Sequence, residues 1–138
     1  MATWYVSAAT GAIYQGDMAI GDSIATSAQV TAWAAAHPVM PTSVTITSTG
    51  TPSLSGTYPI DHDTLSTLNG EASYIAINSA FSSGTSTLPW PDTSGVLHTF
   101  SSTAEFIAFA SAVTKYVTQA TMAIQTSGTM PSSPVTIP

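Results

Sequence analysis

The stretch Ser102-Thr103-Ala104-Glu105-Phe106-Ile107-Ala108-Phe109-Ala110-Ser111-Ala112-Val113 decides how the rest of the chain is read. Ser102 stands where an N-cap hydroxyl accepts from the third helical amide, and Glu105 is the partner that reaches back in a capping box. Behind this cap Phe106, Phe109, Ala110, Val113, Val117, Ala120 and Ile124 recur at three- and four-residue spacing, the period of one buried helical face. Gly128 marks the end. The pattern predicts a long helix over 102–124 whose phenylalanine stripe needs a partner.

That partner is sought upstream. Leu88-Pro89-Trp90 and Val96-Leu97-His98-Thr99-Phe100 flank Pro91-Asp92-Thr93-Ser94-Gly95, the composition of a hairpin turn between short strands. Trp90, Val96, His98 and Phe100 are expected in register on this ribbon. Further back, Leu65, Leu68, Ala72, Ile75, Ala76 and Phe81 form a second apolar stripe, opened by Asp61 or Asp63 as cap, which predicts a helix over 63–81. Gly70 weakens it by about 1 kcal/mol relative to Ala. Gly50 to Gly56 reads as a loop, and Thr57-Tyr58-Pro59-Ile60 as a short extended lead into the helix, limited in pairing because Pro59 donates no hydrogen bond.

In the first third, Val44 and Ile46 alternate with Thr45 and Thr47 at the period of a half-buried strand. Thr26 or Ser27 caps a short helix over 27–37, stopped before Pro38, with Val30, Trp33 and Ala34 on its buried face. Trp4-Tyr5-Val6-Ser7 and Gly11-Ala12-Ile13-Tyr14 form a small hairpin. The closing segment Met130-Pro131-Ser132-Ser133-Pro134-Val135-Thr136-Ile137-Pro138 is too rich in proline for a central strand and suits a sheet edge. It echoes Met40-Pro41-Thr42-Ser43-Val44-Thr45-Ile46, as two equivalent strand starts or as coincidence in a Ser- and Thr-rich chain. The expected fold class is α+β: small antiparallel β-hairpins packed with two longer and one short α-helix. One compact domain over 1–138 is expected, with 1–50 holding the hairpin, short helix and strand, and 51–138 the helix–hairpin–helix unit.

Composition narrows the function classes. Of 138 residues 43% are hydrophobic, enough to fold, but only 6% are charged, against about 25% in an average domain. Lys115 is the single Lys or Arg, and Asp17, Asp22, Asp61, Asp63, Glu71, Asp92 and Glu105 bring the formal net charge to -6. Such a chain offers no basic footprint for phosphates, so nucleic acid and anionic membrane surfaces are excluded as expected partners. There is no Cys for disulfides or thiolate metal sites. No apolar run is long enough for a membrane span, and the opening Met1-Ala2-Thr3-Trp4-Tyr5-Val6 lacks the basic and apolar regions of a cleaved secretory signal. Hydroxyls in place of charge suit a chain that stays assembled with copies of itself or other proteins, because interfacial charges must be desolvated.

No catalytic, metal or cofactor site is expected. Asp61-His62-Asp63 is the one cluster of potential metal ligands, yet its neighbours point apart from one helix start and capping accounts for both acids. There is no Gly-x-Ser-x-Gly elbow to give any Ser a nucleophile's setting, and a carboxylate pair arises only by free choice among seven acids. The aromatic residues remain. Trp90, held between Pro89 and Pro91, is the leading exposed contact, followed by Tyr58, Trp4 and Tyr14, any of which can anchor a protein interface or stack on a host glycan.

The opening Trp4-Tyr5-Val6-Ser7-Ala8-Ala9-Thr10-Gly11-Ala12-Ile13-Tyr14, with Asp17 and Ile24 beyond it, resembles the start of phage tail fibre assembly proteins. Gly56-Thr57-Tyr58-Pro59-Ile60-Asp61 and the segment from Leu88 to Phe100, followed by Phe106 and Ala112, look like a domain found in phage and prophage tail proteins, where a Trp-x-Asp-x-x-Gly hairpin precedes a Phe- and Ala-rich helix. Met130 to Ile137 is similar to the ends of such proteins. The resemblance implies a virion structural protein of the tail or tail fibre, a homo-oligomer in contact with other tail or fibre proteins, with no catalytic residues to carry over. Its alternatives are a tail fibre assembly chaperone and a host glycan binding module. The scarcity of charge favours a part retained in the tail over a chaperone that leaves.

Overall fold

A computed structural model describes residues 2–138. Strands β1 (Trp4–Val6), β2 (Ile13–Gln15) and β3 (Ser23–Ile24) form a sheet in the order β2-β1-β3, followed by helix α1 (Ser27–Ala36). Then come β4 (Ser43–Ser48), β5 (Gly56–Pro59), helix α2 (His62–Asn78), β6 (Leu88–Pro91), β7 (Leu97–Phe100), helix α3 (Thr103–Thr126) and β8 (Val135–Ile137). The architecture is α+β with three helices and small sheets, as the patterns predict. Among the described residues no helix is long and apolar enough to cross a membrane.

Each helix begins at a side-chain cap. Thr26 and Gln29 form a reciprocal capping box on α1, and Asp61 caps α2 by accepting from the amide and hydroxyl of Thr64. On α3 the Ser102 hydroxyl accepts from Glu105 N at 3.2 Å. The Glu105 carboxylate reaches one residue past the N-cap: Oε2 accepts from the amide and hydroxyl of Ser101, and Oε1 from the Thr51 hydroxyl at 2.7 Å. A local cap thus doubles as a tie to the loop after β4.

Two helix ends fall at other positions than the sequence suggests. α2 stops at Asn78 because Ser79 turns into the left-handed region at φ 55, so Phe81, expected on the helix, enters the core from the loop beyond it. Glu71, buried inside α2, holds this loop by accepting from the amide and hydroxyl of Ser82. At the end of α3 it is Ser127, at φ 51, that takes the left-handed position expected of glycine.

The core lies between α3, α2, the β6–β7 hairpin and β4–β5. Phe100, Phe106 and Phe109 are fully enclosed, with ring centroids 5.1–6.0 Å apart, the tilted and edge-on spacings at which aromatic rings attract beyond their area. Strand order in the central sheet is β5-β4-β8. β4 runs antiparallel to β5, with Val44 opposite Tyr58, and parallel to β8, with Ile46 opposite Val135. The two echoing segments therefore lie side by side, and the proline-flanked tail occupies the sheet edge. This parallel pairing departs from the all-hairpin expectation: the chain crosses the core through α3 before β8 returns.

Burial is uneven along the chain. All core residues come from Val44 onward, and among the described residues none from 2 to 43 is buried. Of the face expected to be buried on α1, Val30 and Trp33 are half-buried and Ala34 is exposed. β1, β2, β3 and α1 form a small module of their own, joined to the core by residues 37–43.

Candidate functional site

The aromatic contact candidates divide between core and surface. Trp90 is only 7% exposed and packs on Phe106 and Phe109 with centroids 5.3 and 6.4 Å away. Its expected role as an exposed contact is overturned by strand alternation: Pro89 and Pro91 take the outward positions of β6, which turns Trp90 inward. Tyr58 is likewise buried. It pairs across the sheet with Val44, and its hydroxyl donates to the Leu54 carbonyl at 2.6 Å. Burial, with the Asp92 charge adding to it, pushes the phenol far above its ordinary range. Trp90 alternates with exposed Pro89 and Pro91, and Tyr58 stands between half-buried Thr57 and Pro59, the period of two that turns one side chain inward.

Trp4 and Tyr14 lie on the N-terminal module, on opposite faces of one sheet. Trp4 sits 4.8 Å from Trp33, which stacks on His37 at 4.4 Å, so this face carries α1. The other face follows from the register. Tyr5 pairs with Tyr14 on one side and with Ile24 on the other, which sets Tyr14, Tyr5 and Ile24 in one row across the three strands. The rings of Tyr5 and Tyr14 are 5.8 Å apart. Both are half-exposed, and Ile24 is 67% exposed.

Asp22 holds this row in place. Its Oδ1 accepts from the Ala8 amide at 2.8 Å and its Oδ2 accepts from the Tyr14 hydroxyl, which in turn accepts from the Ala19 amide at 3.1 Å. The Tyr14 hydrogen bond keeps the Asp22 carboxyl below the usual carboxylate range and pushes the Tyr14 phenol up. In the same third of the chain Met18, Ile20 and Val39 are each more than half exposed, with Asp17 exposed beside Met18. Sequence reasoning reached Tyr5 only as one of the chain's aromatic residues and did not single out Ile24 or these neighbours as contacts. One signal was available, since residues 23–60 contain no Asp, Glu, Lys or Arg.

Two grooves flank α3. One, of about 650 Å³, runs between its second half and residues 128–136 and is lined by Lys115, Gln119, Met122 and Thr136; the other, of about 420 Å³, lies against α2 at Asn69, Ala72 and Ile107. Two further acids serve the fold: Asp61 caps α2, and Asp92 organises the β6–β7 turn by accepting from the Ser94 and Val96 amides.

No family model matches this chain, and no curated protein or solved structure is significantly similar to it.

Proposed function

We propose that this chain is a structural protein of a bacteriophage tail or tail fibre, held in the particle by contacts with other tail or fibre proteins. The resemblance of its opening and of its hairpin–helix unit to phage tail proteins supplies the setting. The observation that carries a contact role is the open surface of residues 2–43, which buries none of its own side chains, leaves Met18, Ile20, Ile24 and Val39 more than half exposed, and holds Asp17 and Asp22 as its only Asp, Glu, Lys or Arg. Contiguous apolar surface left open on a folded chain marks a place where another protein sits. A free chaperone of this size is expected to carry more charge for solubility, so the reading favours a retained component. The glycan alternative loses its leading residue with Trp90 inside the core.

Quantitative mass spectrometry of purified virions tests the proposal, following peptides on either side of Lys115 and across the Trp90 hairpin. The expected result is presence in fixed stoichiometry with the tail proteins. Absence from virions combined with abundance in infected-cell lysate overturns it in favour of the chaperone.

A further inference from the structure

We propose that residues 2–37 turn as one body relative to the core about the spacer Pro38-Val39-Met40-Pro41, so that the chain presents two surfaces whose mutual orientation is not fixed. The bonds of the N-terminal module close within it. Asp22 accepts from the Ala8 amide and the Tyr14 hydroxyl, the Ala25 amide donates to the Trp4 carbonyl at 2.9 Å, and Trp33 lies between Trp4 and His37. On the core side the bonding begins at Thr42, whose carbonyl accepts from the Ile60 amide at 3.1 Å. Among the described residues no hydrogen bond, ion pair or ring contact runs from residues 2–41 to the rest of the chain, and no strand of the N-terminal sheet pairs with one of the core. Parts of a chain that share no large apolar interface move relative to one another.

The spacer is built to hold the module off the core while letting it turn. Pro38 and Pro41 fix φ at about −65° and keep His37 and Met40 out of the helical region. Rotation is left to ψ of each proline and to the backbone of Val39 and Met40, which are 80% and 39% exposed and so are not clamped between the two parts. Four residues of such proline-flanked chain reach about 12 Å. Charge does not draw the parts together either. Asp17 and Asp22 make the module negative, and five acids against Lys115 give the core the same sign. His37, the one histidine of the module, is engaged within it, its ring stacked on Trp33 and its Nδ1 2.8 Å from the Trp33 carbonyl oxygen. A partner that holds the module therefore need not be aligned with one that holds the core, and the spacer makes the second contact of such a pair intramolecular.

Residual dipolar couplings of the backbone amides of the full chain are the test, with β1, β2, β3 and α1 as one set and β4, α2 and α3 as the other. Each set is expected to fit its own alignment tensor, the module's being the weaker because its orientations average. Insertion of Gly-Ser-Gly-Ser between Val39 and Met40 is expected to weaken the module's alignment further and to leave the urea midpoint of the α3 amides unchanged. One tensor that fits both sets, module couplings that fit no common tensor among themselves, or a fall in the α3 midpoint on insertion overturns the proposal. A chain that fits one tensor and is present in virions removes this inference and leaves the tail assignment standing; two tensors in a chain absent from virions do the reverse.

Discussion

Nε2 of His98 lies 3.2 Å from Oδ2 of Asp92, tying the second strand of the β6–β7 hairpin to the turn that precedes it. The other ring nitrogen, Nδ1, is 2.7 Å from the Ser53 carbonyl oxygen, and the ring packs over Gly56 so closely that a Cβ there would stand 2.9 Å from Nε2. One imidazole therefore joins the hairpin to the loop before β5.

Acid should loosen this joint. The His98 hydrogen bond, helped by the Val96 and Ser94 amides, holds the Asp92 carboxyl below the usual carboxylate range. A group whose folded pKa is depressed contributes stability that is fully present above its unfolded value, about 4, and is lost as pH falls through the lower folded value. Urea midpoints measured from pH 6 downward are expected to fall for the wild type and to fall less steeply for Asp92→Asn. Parallel acid limbs for the two proteins would show that Asp92 is not linked to folding.

Tyr58 makes the opposite pH prediction. Its folded pKa lies above the unfolded value, so the stability it brings is present below about pH 10 and declines as pH rises toward the folded value. In a 295 nm titration, the Tyr58 phenol should ionise only as the chain unfolds. Tyr58→Phe removes the donor to the Leu54 carbonyl and is expected to cost about 1–3 kcal/mol at neutral pH, read from denaturant unfolding.

Trp90 separates core from surface most directly. Enclosed by Phe106 and Phe109, it should lose about 3–5 kcal/mol of stability on truncation in Trp90→Ala. A surface contact residue would leave the melting temperature nearly unchanged. Far-ultraviolet circular dichroism melts decide between the two.

Two helix positions offer stabilising changes. Gly70 is exposed within α2 with open space around its Cα, so Gly70→Ala should add about 0.5–1 kcal/mol. Ser127 holds a left-handed conformation that costs a side-chain-bearing residue about 1–2 kcal/mol, and Ser127→Gly should recover a good part of it. Thermal unfolding of the two variants, alone and together, should show additive gains, since the sites are on different helices and share no partner.

Exchange of backbone amides should follow the division of burial. Amides in the middle of α3, flanked by Phe109, Ala110 and Val113, are expected to open only with global unfolding, whereas those of α1 exchange through local opening and faster by orders of magnitude. Equal protection in dilute protein would mean that the N-terminal module is coupled to the core through residues 37–43.

What could be read directly from the chain was local. The Ser102 cap, the Asp61 cap, the Thr26–Gln29 box, the turn built on Asp92 and the apolar stripes of α2 and α3 depend on residues three or four apart, and such neighbours meet whatever the rest of the chain does. The scarcity of charge and its absence from residues 23–60 were equally plain. Tertiary structure alone decided the rest, because it turns on which distant surfaces come together. It put Trp90 and Tyr58 in the core, seated β8 parallel to β4, bent Glu105 toward Thr51, and left the row of Tyr14, Tyr5 and Ile24 uncovered. An aromatic residue carries the same apolar area wherever it stands, and only the packing around it determines whether that area meets Phe106, as at Trp90, or solvent, as at Tyr5.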